Sequence, residues 1–197
     1  MALLPVHVPA AELLFDADFL SEPAAEALLT QLTASVPWRH EPIHLFGKEV
    51  LQPRLTAWYG DAGATYRYSG LTLEPLPWLP ALHALRQQVE AATSSRFNSV
   101  LLNLYRTGQD SMGYHADDEP ELGPEPVIAS VTLGATRTFR LRPRPVLQPV
   151  PAAFSLALTA GSLLLMRGPT QRNWLHALPK TARPVGPRLN LTFRLVG

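Results

Sequence analysis

The chain of 197 residues contains no cysteine. That removes disulfides, thiolate metal ligands and a cysteine nucleophile together, so any metal must be held by His, Asp or Glu. The absence fits a reducing compartment. No segment has about 18 uninterrupted apolar residues, so a membrane span is not expected. The opening MALLPVHVPAAELLF lacks a basic n-region and meets Pro5, Pro9 and Glu12 early, so it does not read as a signal peptide. A cytoplasmic location is expected, or a nuclear one for a eukaryotic source. Charge is also sparse: 17% of residues are charged and 46% apolar, a globular balance that is neither disordered nor collagenous. Long helices lack room, because 20 prolines, about twice the usual share, favour strands joined by turns.

The formal net charge of +1 says nothing by itself about nucleic acid. Its distribution says more. Residues 1–98 carry 6 Lys+Arg against 10 Asp+Glu, and residues 99–197 carry 11 against 6. The basic half concentrates Arg137, Arg140, Arg142 and Arg144 in one run. On a strand, alternate arginines add their charge on one face; a solubilising strand edge is the competing reading.

Ser21-Glu22-Pro23 followed by an Ala/Leu-rich stretch to Ser35 predicts a capped helix. Leu82, Leu85 and Val89 predict a second helix over about 79–92. Between them, Trp38 to Gly70 has poor periodicity and reads as hairpins and loops. From residue 99 the pattern becomes short β-prone runs over 99–106, 127–133, 136–142, 153–158, 162–166, 174–178 and 189–196. The expected fold is mainly β with flanking helices, a sandwich, barrel or jelly roll in one domain.

His115-Ala116-Asp117 places an imidazole and a carboxylate two residues apart, on one side of an extended segment. His176, in NWLHALP, is a third ligand on another predicted strand. Two His and one carboxylate on one face of an ion leave its other positions open, the pattern of non-haem iron(II) oxygenases. A zinc hydrolase can use the same ligand types, and a lone His in a strand is usually a core or surface residue. Near the end, Arg188-Leu189-Asn190-Leu191-Thr192-Phe193-Arg194 alternates apolar and polar, so Arg188, Asn190, Thr192 and Arg194 share a face. If that face looks inward, the arginines are buried charges that need anions. A dicarboxylate suits them, because guanidinium binds carboxylate in a two-pronged fork. Asn103 and Tyr105 can add neutral hydrogen bonds to the same ligand.

NLY, YHADDE, NWLHALP and PRLNLTFR together resemble the AlkB family of iron(II)- and 2-oxoglutarate-dependent nucleic-acid dealkylases. The resemblance runs from about residue 46 to the end. LFGKE, QPR, YGDAGATYRYSGLTLEPLPW and SVLLNLYRTG make it nearest the duplex-acting homologues. It implies a double-stranded β-helix, a form of jelly roll, over about 99–197, with an N-terminal extension and nucleotide-recognition lid over about 1–98. His115, Asp117 and His176 would ligate Fe(II). Arg194 would pair with the distal carboxylate of 2-oxoglutarate, helped by Asn103 and Tyr105. Arg188 would lie near the C1 carboxylate and Asp117, with Asn190 beside the cosubstrate. The implied activity uses O2 and 2-oxoglutarate to oxidise N-alkyl groups on bases of DNA, with RNA as a second candidate, releasing succinate, CO2 and an aldehyde. Bases such as 1-methyladenine and 3-methylcytosine are the implied targets, and a monomer is implied. A hydroxylase of a protein or small molecule, and a non-catalytic nucleic-acid-binding module, are the alternatives.

The same resemblance suggests base contacts. A duplex base must be flipped out to be reached. Tyr68 would stack on it, Tyr66 would hydrogen-bond nearby, and Ser69 adjoins them. Asp118 and Glu119 would favour a cationic lesion. Phe46 would fill the gap left in the duplex, and Arg54 would contact the opposite strand.

Overall fold

The structure, a computed structural model, describes residues 2–45, 48–64, 66–68 and 71–197, without side chains at 43–45, 48, 66–68 and 71–73. In chain order the strands are β1 (Leu4–Val6), β2 (Glu12–Asp16), β3 (Pro42–Leu45), β4 (Lys48–Leu51), β5 (Leu55–Gly60), β6 (Tyr66–Tyr68), β7 (Leu71–Leu73) and β8 (Ser99–Tyr105). They continue as β9 (Met112–His115), β10 (Ile128–Gly134), β11 (Arg137–Pro143), β12 (Phe154–Leu158), β13 (Leu163–Arg167), β14 (Trp174–Leu178) and β15 (Arg188–Arg194). The helices are α1 (Glu22–Ser35), α2 (Pro80–Thr93) and the single turn α3 (Thr170–Asn173). Among the described residues no helix is long and apolar enough to cross a membrane.

Seven strands form one sheet in the order β1-β2-β13-β10-β15-β8-β5, and four form a second in the order β12-β11-β14-β9. Neighbouring strands in both sheets run antiparallel, as the short β-prone runs with turn residues between them require. This is the mainly β, two-sheet architecture expected of a jelly roll. The large sheet draws on both halves of the chain, because β1, β2 and β5 precede residue 98. The hairpins β3–β4 and β6–β7 stand outside both sheets.

Alternation along the strands sets the layers. On β15, Leu189, Leu191 and Phe193 join Val100, Leu102 and Leu104 of β8 and Ala129, Val131 and Leu133 of β10 in one core with Ala25 and Leu32 of α1 and Leu82, Leu85 and Val89 of α2. The opposite face sends Ile128, Leu164 and Met166 into a second core with Phe139, Leu141, Leu158 and Trp174 of the small sheet. Helices, large sheet and small sheet are therefore three layers. Each fully buried Leu or Phe in them contributes about 1.5–3 kcal/mol. Both long helices carry a proline in the first turn, Pro23 as the second residue of α1 and Pro80 as the first of α2, where its missing N–H costs nothing. Ser21 sits at the first cap position but its side chain makes no capping hydrogen bond, contrary to the sequence expectation.

Between the two sheets the lining changes from apolar to polar. Ser130 and Thr132 of β10, Asn103 and Tyr105 of β8, and Arg188, Asn190 and Thr192 of β15 are all buried there. Buried polar groups persist only when bonded or when they serve a ligand.

Candidate metal and cosubstrate centre

His115 ends β9 and His176 sits at the centre of β14, and the two are register partners across the small sheet. Their rings meet edge to face with centroids 4.2 Å apart. Asp117 follows two residues past the end of β9. One ligand atom from each of His115, Asp117 and His176 lies within 4.8 Å of the others, the only such cluster of three or more among the described residues. Cross-strand register thus joins positions far apart in sequence.

The protonation states suit metal binding. The Nδ1 of His115 lies 3.0 Å from the Gly113 carbonyl. A carbonyl only accepts, so Nδ1 carries a proton, and Nε2 is the nitrogen left to serve as a ligand. Burial pushes His176 down to about 3, which leaves its imidazole neutral. Burial alone would push the Asp117 carboxyl up, but Arg194, His176 and His115 outweigh it and hold Asp117 below the usual carboxylate range. The Arg194 guanidinium donates a short hydrogen bond to Oδ1 of Asp117, while Oδ2 faces His176 Nε2 at 3.8 Å. Phe139 stacks on His176 at 5.3 Å and fixes the ring plane.

Arg188 corrects one expectation. The sequence reading put Arg188 beside Asp117; the structure puts Arg194 there. Six residues of strand separate the two, roughly 20 Å of chain, and it is Arg194 that reaches Asp117. Arg188, only 2% exposed, donates to Thr132 Oγ1 at 3.0 Å and to Asn190 Oδ1 at 2.9 Å, and lies over the Tyr105 ring at 5.3 Å. The physical reason is the register: Arg188 pairs with Tyr105 and Gly134, whereas Arg194 pairs with Ser99 at the other end of β8. Alternation gives the face of a residue and not its end of the cavity.

Arg188 has no carboxylate within ion-pair distance among the described residues, and burial brings it down to about 10. Its Nε, like that of Arg194, is buried without a hydrogen-bond partner. Two orphaned guanidinium N–H groups at opposite ends of one strand, with an all-N/O triad at one end, fit a chelated ion and a dicarboxylate. Asn190 is the relay of the polar face: its Oδ1 also accepts from Ser130 at 3.0 Å, and its Nδ2 donates to Thr192 at 2.8 Å.

Arg54 is buried, and its Nε donates to Asn103 Oδ1 at 2.7 Å. The β5–β8 register, which sets Thr56 against Asn103, draws Arg54 inward. Arg137 is a second correction. It shares a run with Arg140, Arg142 and Arg144, but it is buried and donates to the Thr107, Asp110 and Pro179 carbonyls. Arg140 and Arg142 do face outward, and Arg142 lies over the exposed Tyr114 ring at 4.2 Å. Odd and even positions on β11 face opposite ways, which the sequence alone already contained.

The base-contact expectations meet the structure unevenly. Asp118 is exposed and ion-paired with Arg144, so its charge is largely matched; Glu119 is half-buried. Tyr66 and Tyr68 lie on β6, while Phe46 and Ser69 are outside the described residues. Gln171, which the sequence reading missed, accepts a hydrogen bond from the Asp117 backbone N–H at 3.0 Å. Nothing in Thr170-Gln171-Arg172-Asn173 signals that role by residue type.

Comparison with known proteins agrees with this geometry. The chain matches the 2OG-Fe(II) oxygenase superfamily over residues 13–194. It is 44% identical over 184 residues to the mouse (Mus musculus) alpha-ketoglutarate-dependent dioxygenase alkB homolog 3, covering 90% of this chain and 64% of that protein. It is 46% identical over 158 residues to the human DNA oxidative demethylase ALKBH2, covering 78% of this chain and 60% of that protein. The chain thus spans less than two thirds of the length of these curated relatives. The solved structure of OsALKBH1 superposes with a TM-score of 0.65 at 17% identity, over 96% of this chain and 99% of that one, which shows the shared fold. The sequence motifs, the two-sheet fold and the His-Asp-His cluster have one common account: the chain belongs to the 2OG-Fe(II) oxygenase superfamily, in its AlkB group.

Proposed function

We propose that this protein is an iron(II)- and 2-oxoglutarate-dependent dioxygenase that removes N-alkyl groups from bases in DNA. The observation that carries the reading is the His115/Asp117/His176 cluster, with the part-buried Arg194 against Asp117 and the buried Arg188 at the other end of β15, each with a buried N–H to spare. The relatives named as a DNA oxidative demethylase and as an alpha-ketoglutarate-dependent dioxygenase support the substrate and the cosubstrate.

Iron(II) with 2-oxoglutarate and O2 would supply the oxidation of an N-alkyl carbon, giving succinate, CO2, an aldehyde and the restored base. The chain's own residues do the rest. His115, Asp117 and His176 would hold the ion through two imidazole nitrogens and a carboxylate oxygen. Arg188, with Asn103 and Tyr105, binds the distal carboxylate of the cosubstrate deep between the sheets. Arg194 keeps Asp117 ionised and offers its Nε to the proximal carboxylate. Apolar packing around Phe139 and Leu141 excludes water from this end of the cavity.

For the substrate, the exposed Arg140 and Arg142 beside Tyr114 offer phosphate contacts on the outer face of the small sheet. Tyr68 and Tyr66 on β6 suit stacking and hydrogen bonding to a flipped base, with Ser69 adjoining and Phe46 as the wedge. Asp118 and Glu119, the acidic step just past the ligands, would favour a cationic lesion such as 1-methyladenine or 3-methylcytosine. RNA bases of the same chemistry are substrates of the same site, and the protein acts as a monomer in the cytoplasm, or in the nucleus of a eukaryote.

The test is an aerobic and an anaerobic incubation with iron(II), 2-oxoglutarate and oligonucleotides carrying single methylated bases. Oxygen-dependent loss of one methyl mass with matching succinate is expected. Succinate release that no methylated oligonucleotide stimulates would move the reading to a protein or small-molecule hydroxylase.

A further inference from the structure

The three candidate metal ligands are not held alike. His115 and His176 are fixed by the ladder between β9 and β14, where they are direct register partners. Asp117 lies past the end of β9 and has no strand partner among the described residues. Arg194 holds its carboxylate through Oδ1, but the backbone beneath is off the ladder, and a metal site tolerates little movement there. Gln171 supplies the missing backbone constraint. Its Oε1 accepts the Asp117 N–H at 3.0 Å, and the side chain is 1% exposed.

The orientation of this amide is settled by its partners. The Asp117 N–H can only donate, so oxygen must face it, and the Gln171 NH2 turns to Met166 Sδ at 3.7 Å. A thioether is a weak acceptor, a poor reason to bury a primary amide. The residue is therefore placed for what its oxygen does.

Gln171 itself stands on a fixed base. It belongs to α3, the turn that leads into β14 and His176. Thr170 Oγ1 donates to the Arg167 carbonyl at 2.7 Å and accepts from the Glu12 N–H at 2.9 Å. Asn173 donates to the Ala10 carbonyl and Trp174 to the Pro9 carbonyl, each at 2.9 Å. The turn is thus strapped to the N-terminal segment.

We infer that Gln171 is a positioning residue for the metal centre: it does for Asp117 what the strand ladder does for the two histidines, and carries the rigidity of the N-terminal strap to the third ligand. The inference rests on the metal assignment above, but not on the cosubstrate or the nucleic acid.

The experiment is direct titration of metal-free protein with Mn(II), followed by calorimetry, for wild type, His115→Ala, Gln171→Met and Gln171→Glu. Methionine keeps the volume and removes the oxygen acceptor. Glutamate keeps an acceptor oxygen whether protonated or ionised, and neither variant retains the amide donor that faces Met166. Wild type should bind one ion and His115→Ala none. Gln171→Met should bind roughly ten- to a hundredfold more weakly, and Gln171→Glu within about threefold of wild type on the same hydrogen-bonding ground. Equal weakening in both Gln171 variants, or none in either, overturns the inference and leaves the metal assignment standing. Absence of binding by wild type overturns the metal assignment itself. If Gln171→Met does not fold, hydrogen exchange of wild-type protein without metal decides: the Asp117 amide should be protected, and exchange at the rate of an open loop overturns the proposal.

Discussion

Replacing Arg188 with methionine should change stability and cosubstrate binding in opposite directions. Without a ligand, the buried guanidinium faces no carboxylate among the described residues and is brought from its ordinary value down to about 10. That displacement corresponds to roughly 3 kcal/mol of unfavourable free energy in the charged form. The hydrogen bonds to Thr132 and Asn190 offset it by about 1 kcal/mol each. The ligand-free protein therefore carries a net burden of roughly 1 kcal/mol at this position, and methionine, of similar reach and apolar, removes it. In a chain of 197 residues, about 1 kcal/mol moves the melting temperature by about 2–4 °C, here upward. Binding of 2-oxoglutarate should suffer instead. A two-pronged guanidinium–carboxylate contact comprises two charge-assisted hydrogen bonds, so its loss costs at least about 3 kcal/mol, more than about a hundredfold in Kd. Thermal melts with and without 2-oxoglutarate, in Mn(II) and without O2, read both effects in one series. A lower melting temperature without ligand together with wild-type affinity for 2-oxoglutarate would refute the reasoning, because Arg188 would then be a structural residue.

Other outcomes can be checked alongside. Alanine at His115 or Asp117 should abolish stoichiometric metal binding and succinate formation; turnover retained by either would remove it from the ligand set. Because His176 is held near 3 in the folded chain and titrates near 6.5 when unfolded, the unfolded state binds the extra proton between those values. Metal-free protein should thus lose stability as pH falls below about 6.5, by up to about 1.4 kcal/mol per unit, and His176→Gln should flatten the melting curve against pH; an unchanged slope contradicts the assignment. Phe193→Ala, in the fully buried helix-facing core, should cost about 3–5 kcal/mol in denaturant unfolding, and a loss under about 1 kcal/mol would mean that this layer is not close-packed. Arg140→Ala with Arg142→Ala should weaken oligonucleotide binding at all sequences and lower the salt slope by about 1 for each phosphate left without its arginine; unchanged slopes would take the outer face of the small sheet out of the nucleic-acid footprint.

What the sequence made legible was governed by side-chain period. The strand of Arg188–Arg194 announced itself by alternation, and its polar face does look inward. The seven β-prone runs after residue 98 fall on β8 and β10–β15 within a residue or two at each end. Other features were hidden because local pattern does not encode register. Which of Arg188 and Arg194 reaches Asp117 depends on which residues of β8 and β10 lie opposite. The inward turn of Arg54 depends on β5 pairing with β8. β1 and β2 were obscured by the prolines around them, and β9 by Gly113, yet β2 pairs with β13 over five residues. Gln171 was unreadable for another reason: a glutamine in a four-residue turn matters only through the backbone amide it meets 54 positions away.

The alternation on β15 has an evolutionary consequence. Its odd residues belong to the helix-facing core and its even residues to the cavity, so two functions share one reading frame of the backbone. Deleting or inserting a single residue upstream within the strand would exchange the two sets. Arg188, Asn190 and Thr192 would meet α1 and α2, and leucines would face the metal. No partial loss of either function is open to such a lineage. Residue substitutions can explore β15 one side at a time, but length changes are confined to the connections, such as 144–153 between β11 and β12, where exposed chain absorbs them without moving any ligand.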